Sequence, residues 1–333
     1  MKTIIRLLSV LALLVLSPLG ANAETVKVGL VHNAGAGPLY IAIEKNYFTA
    51  EGLTVQTVPF GSGEPIAVAA VSGDIDLGST GPSGGLFNLA GQGALKIIAG
   101  GTHEAPGFQM LTFVASNAAF SAGLKTLKDL AGHSAGVAQI GSTGHYSLAL
   151  IEEKYRIDAK SVTVIGLQST VNVVSAVTGG KTDIAISTAT PLAPGIASGA
   201  TKLLAYAGDE APFQTGVVFT ATKFANTHPE LIQRYLRALN KGKRDYYDAF
   251  TGPDGKRHDG PNADAFIAII AKYVEQTPDQ VRPAIAYNDA QSRLDVADIL
   301  HQIAWYKSQN MVKGDFDPTS VIDMRYVVAL PEK

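Results

Sequence analysis

Two segments far apart in the chain run through the same residue types in the same order: AVAAVSGDIDLGSTGP at Ala67–Pro82 and NVVSAVTGGKTDIAISTATP at Asn172–Pro191. Each reads as an apolar helix, a Ser/Thr-Gly turn, an aspartate, a short apolar strand and a hydroxyl-rich loop closed by proline. Short apolar strands that alternate with helices belong to a parallel sheet covered on both faces. The flanking sequence keeps that rhythm, with VKVGLV, LTVQTVPF and LKIIAGG around the first copy and VAQI, VTVIGL and KLLAYAG around the second. Two such blocks, each too short for a large sheet, predict two α/β lobes joined by crossings near Thr102–Thr112 and Tyr206–Val218. From about Thr227 the pattern changes to long helices without strands, a C-terminal wrap.

The chain opens on MKTIIRLLSVLALLVLSPLGANA, a basic start, an apolar run from Leu7 to Leu16 and a small-x-small ending at Ala21-Asn22-Ala23. This predicts a secretory signal peptide cleaved near Ala23, and no later apolar run is long enough to span a bilayer. Removing Lys2 and Arg6 from 27 basic residues leaves 25 against 29 acidic ones, so the general positive field that nucleic acid or anionic lipid requires is missing. The chain has no cysteine, hence neither a disulfide framework nor a lipid-anchoring thiol at a new N-terminus. The expected location is a bacterial periplasm. The expected division is leader 1–23, first lobe 24–107, second lobe 108–215, and a return to the first lobe with the helical wrap over 216–333.

In open parallel sheets ligands sit beyond the carboxyl ends of the strands, where loops enter helix N-termini. Five such loops are rich in glycine and small hydroxyls: Asn33–Pro38, Gly61–Pro65, Ser79–Ser83, Gly141–His145 and Thr188–Thr190. In the fourth, Gly141 makes the turn, Ser142 or Thr143 caps the helix, and Gly144 clears space over unpaired N–H groups that could hold a small oxyanion. His145 is the histidine assigned to that cradle. Ser79 and Thr80 supply donors from the first lobe, and Asn33, Gly37 and Thr188 line the pocket. Glu104 and Asp209, near the two crossings, are the carboxylates available to a cationic group on the solute, with Glu210 beside them. None of the five loops contains Lys or Arg, so an anion would be held by N–H groups and hydroxyls.

Taken together, GPLYIAIEKNYFTAEGLTVQTVPFGSG, AVSGDIDLGSTGP, LKTLKDLAGHSAGVAQIGSTGHYSL and ATKFANTHPELIQRYLRALNKG resemble the solute-binding proteins of ABC importers. The group is the one that binds sulfonates, taurine, nitrate and thiamine-pyrimidine precursors. The resemblance implies a two-lobed periplasmic-binding-protein fold of type II, two mostly parallel sheets flanked by helices, with a ligand cleft between the lobes. It implies a monomer that catalyses nothing, closes on a small anionic or zwitterionic solute, and delivers it to a permease with its ATPase. An aliphatic sulfonate or taurine is the first expectation, with nitrate, a carboxylate or a pyrimidine precursor as alternatives. It also implies that Ser79-Thr80-Gly81 and Gly141–His145 face the anionic end of the solute. Where many relatives carry a Trp-x-Pro-like segment after the second-lobe aspartate strand, this chain has Thr188-Ala-Thr-Pro-Leu192.

Other chemistries leave fainter marks. Gly81-Pro-Ser-Gly-Gly85 fits the G-x-S-x-G turn of a serine hydrolase, with Ser83 as nucleophile and Asp295 and His301 downstream in the required order. Those two lie on one amphipathic helix, however, and no oxyanion segment precedes the serine. The seven histidines include no H-x-x-x-H or H-x-H pair, and Ala34–Pro38 lacks the lysine of a phosphate loop, so neither metal nor cofactor is expected.

Overall fold

A computed structural model of the chain describes residues 23–331, and all of the expected leader 1–23 but Ala23 lies outside them. The strands in chain order are β1 (Glu24–Val31), β2 (Leu53–Phe60), β3 (Leu77–Thr80), β4 (Leu95–Gly100), β5 (Thr102–His103), β6 (Leu111–Ser116), β7 (Ser134–Val137), β8 (Thr163–Gly166), β9 (Ile184–Thr188), β10 (Thr201–Tyr206), β11 (Val217–Ala221) and β12 (Tyr287–Asn288). One sheet is ordered β2-β1-β3-β11-β4 and the other β8-β7-β9-β6-β10. In each, the fourth strand in that order runs against its neighbours, while the pairs on the other side are parallel. The two lobes thus share one topology, and each sheet takes its antiparallel strand from beyond a crossing.

The repeated aspartates show why the two copies match. Asp76 precedes β3 and accepts the Lys27 N–H of β1 at 2.8 Å, and Asp183 precedes β9 and accepts the Ser134 N–H of β7 at 2.9 Å. Both thereby fix the start of one parallel strand against the next. β12 is an addition to the all-helical C-terminal pattern, pairing Tyr287 with His103 and Asn288 with Thr102. A strand of two residues carries no alternation for a sequence reading to catch.

The first sheet is covered by the helices Gly37–Glu44, Pro229–Phe250 and Ala263–Val274, whose apolar faces share one buried cluster with β1. Gly242 sets how closely the long helix approaches. A Cβ there would stand 2.8 Å from the Ala42 side chain and overlap the Pro38 carbonyl, so only glycine admits this packing. A second cluster crosses from lobe to lobe through Phe87, Tyr146, Phe213 and Tyr306, the last on the helix Val296–Ser308.

Candidate ligand site

Beyond the carboxyl ends of β1 and β3 lies a cavity of about 70 Å³, several times the roughly 10–15 Å³ that one water needs. Asn33 opens it from β1, its Oδ1 accepting the Gly35 N–H at 2.9 Å, and Ser79, Thr80 and Gly81 enter from β3. Thr102, Met110, Thr215 and Gly216 come from the crossings, and Tyr235, Leu239 and Lys243 from the long helix, with Asn288 beside them. An adjoining small space shares Asn33, Gly35 and Met110 and brings in Thr188 and Thr190 from the second lobe.

Lys243 is 2 % exposed; its ammonium donates to Gly100 O at 2.6 Å and approaches Gly101 O at 3.5 Å. Burial pushes its pKa down to about 8, against the pull of Asp289, so it is mostly charged at neutral pH. Among the residues lining the cavity there is one cation and no carboxylate. Lys243 lies on a helix and not in a strand-end loop, so the glycine- and hydroxyl-rich loop pattern does not point to it. The signal was its place on the buried face of that helix, four residues after Leu239 and three before Tyr246.

The structure does not bring Gly141–His145 into this cavity. Ser142 caps its helix by accepting the His145 N–H at 3.4 Å, and Thr143 donates to Pro82 O at 3.2 Å. Gly144 faces its own lobe, where an added Cβ would make ordinary contact with Ile186 at 3.5 Å. His145 Nδ1 accepts the Gly141 N–H at 3.0 Å, and its ring meets Trp305 edge-on, 5.2 Å between centroids. Burial lowers its pKa, so it is a neutral imidazole locked into the turn and not the cation of an anion cradle. Gly141 and Ser142 line a separate groove with Glu64, Ser83, Gln139 and Met311. Ser142→Ala is expected to lower unfolding stability by about 1 kcal/mol, the usual worth of a helix cap, and to leave solute affinity within a factor of two in calorimetry. Gly37 is likewise outside the cavity, packed where a Cβ would strike Ile270 and Tyr246.

The proposed cation partners are also elsewhere. Glu104 is fully buried; its carboxyl accepts the Leu111 N–H at 2.8 Å and is favoured by the Gly208 N–H, but burial outweighs both and pushes its pKa up to about 8. Asp209 accepts the Gly107 N–H at 2.8 Å. Glu210 is paired with Lys154 and Tyr155, each at 2.6 Å. These acids hold the crossings together, and none lines the cavity.

Ser83 accepts the Leu86 N–H at 3.2 Å as an N-cap. His301 Nδ1 is bound to the Tyr146 hydroxyl at 2.8 Å, and Asp295 caps the helix that carries it by accepting the Asp298 N–H at 3.0 Å. The groove around Ser83 is lined by no histidine, so the hydrolase arrangement is not assembled. Among the described residues no group of three His, Cys, Asp or Glu is placed to hold a metal ion, and no helix is long and apolar enough to cross a membrane.

A family model described as NMT1/THI5 like matches residues 33–253. No curated protein matches the chain. Among solved structures it is similar to the alkanesulfonate-binding protein SsuA from Xanthomonas axonopodis pv. citri bound to MOPS, at 18 % identity and TM-score 0.71, covering 90 % of this chain and 98 % of that one. The periplasmic nitrate-binding protein NrtA from Synechocystis PCC 6803 is similar at 12 % identity and TM-score 0.67, covering 90 % and 85 %. The desulfurization enzyme DSZB is similar at 13 % identity and TM-score 0.60, covering 92 % and 96 %. One fold thus carries binding proteins and an enzyme, and the residues of the site have to separate them.

Proposed function

Given that the chain belongs to the NMT1/THI5-like family, we propose that it is the exported solute-binding component of an ABC importer. It closes two lobes on a small organic anion and presents it to the permease. The observation that carries this reading is a cavity at the strand ends with a buried lysine, an amide and several hydroxyls on its wall and no carboxylate. That wall favours a solute with negative charge and offers no acid–base pair to transform it. An aliphatic sulfonate is the first choice, in keeping with the sulfonate-binding protein to which the chain is similar. Taurine falls behind it, because Glu104 and Asp209 are tied up in the crossings and no carboxylate lining the cavity meets an ammonium group. Nitrate, a small carboxylate or a pyrimidine precursor would meet the same donors.

The test is a thermal-shift screen of the mature chain from Glu24 onward against sulfonates, taurine, nitrate, carboxylates, pyrimidines and esters. A true solute at about a thousand times its Kd adds about 4 kcal/mol, a shift of several degrees. One responding class of anion is the expected result. Silence from every anion, with ester hydrolysis that Ser83→Ala removes, would overturn the reading.

A further inference from the structure

We propose that Lys243 and Asn288 form the anion anchor of the site, so that the charged group of the solute is held at the floor of the first lobe's cavity and not at the Gly141–His145 loop. This deepens the function proposed above and rests on it. An ammonium carries three N–H donors, and the carbonyls of Gly100 and Gly101 take two at most, leaving one for a ligand. Asn288, 3 % exposed and lining the same cavity, has an Nδ2 with no hydrogen-bond partner within 3.5 Å; the Tyr246 hydroxyl makes only a longer contact with it and is itself bonded to Ala286 O at 2.9 Å. A buried cation with a spare donor beside a buried amide with an unused one is a costly arrangement that an oxyanion would complete. The charge bearing on Lys243 is Asp289, on the loop after β12, and Arg293 grips that carboxylate at 2.9 and 2.6 Å. Tyr235 and Tyr246, both on the helix that carries Lys243, are held neutral by burial, well above the ordinary phenol value.

Titration calorimetry with ethanesulfonate, nitrate and the neutral isostere ethyl methyl sulfone tests the proposal on the wild type, Lys243→Met and Asn288→Leu. The wild type should bind an anion and not the sulfone. Lys243→Met should lose about a hundredfold in affinity and Asn288→Leu about tenfold, the worth of a charged and a neutral hydrogen bond. Lys243→Met should also melt several degrees higher than the wild type, because the cost of burying the charge is gone; an ammonium kept only to tie down Gly100 would give a lower melting temperature. Wild-type affinity for the anion should fall as pH rises above about 8, by up to tenfold per unit, as Lys243 loses its proton. Unchanged affinity in Lys243→Met, or a flat wild-type profile from pH 7 to 10, would overturn the anchor while leaving the receptor reading standing. A wild type that binds no anion would overturn both.

Discussion

Gly81→Val is expected to cost about a hundredfold in solute affinity while leaving both lobes folded. Gly81 follows β3 in the first lobe, and a Cβ on it would overlap the Thr143 hydroxyl of the second lobe and stand 3.0 Å from Thr215 O. The Thr143 hydroxyl is held by Pro82 O, and close by Gly84 donates its N–H to Gly141 O at 3.1 Å, so the lobes meet backbone to backbone with little room to give. Overfilling a packed contact of this kind costs about 1–3 kcal/mol, and here the greater part falls on the closed arrangement, because opening the lobes separates Gly81 from Thr143, while the milder contact with Thr215 O, beside the strand paired with β3, stays in both forms. About 3 kcal/mol against closure is about a hundredfold in apparent Kd when only the closed form holds the solute. Calorimetry gives the affinity, and small-angle scattering should show the wild type, but not the variant, becoming more compact with solute. Wild-type affinity in Gly81→Val would mean that this contact is not part of capture.

The fold was legible because its information is local and repeated. Asp76 and Asp183 stand at equivalent strand starts, and the Ser-Thr pairs that close β3 and β9 mark equivalent strand ends. The insertion of β11 between β3 and β4 was not legible, since it pairs Val217 with Thr80 across the whole second lobe and leaves no nearby pattern. The site divided the same way. Asn33, Ser79 and Thr80 sit in strand-end loops, and the fold delivers them to the cavity wall. His145 sits in a loop of the same kind, but residue type says nothing of where a ring points, and Gly141 N–H and Trp305 decide that. Lys243 needed two facts of packing: its place on the buried face of a helix, and the contact at Gly242 that draws that helix down onto the helix Gly37–Glu44.

At pH 8, Glu104→Gln is expected to be more stable than the wild type by several kcal/mol, with the gap opening steadily from about pH 4.5. Glu104 ties the N–H of Leu111, at the start of β6, to the segment of the other crossing around Gly208, and it does so fully buried. Its folded pKa of about 8 lies above the ordinary 4.5. What it contributes is therefore whole below about 4.5 and is lost as pH rises through 8. A span of this size corresponds to about 5 kcal/mol at 1.36 kcal/mol per unit. Glutamine keeps the acceptor for Leu111 and never ionises, so its stability should be flat where the wild type declines. Urea unfolding from pH 4 to 9 gives both curves, and parallel curves would show that the carboxyl is not neutral when folded. The same variant isolates the anchor. Lys243 loses a positive charge in the range where Glu104 gains a negative one, so wild-type affinity above pH 8 carries both a weaker cavity and a strained crossing. With Glu104→Gln only the lysine remains to titrate between them, and the loss of sulfonate binding that persists in that background is the part that belongs to Lys243.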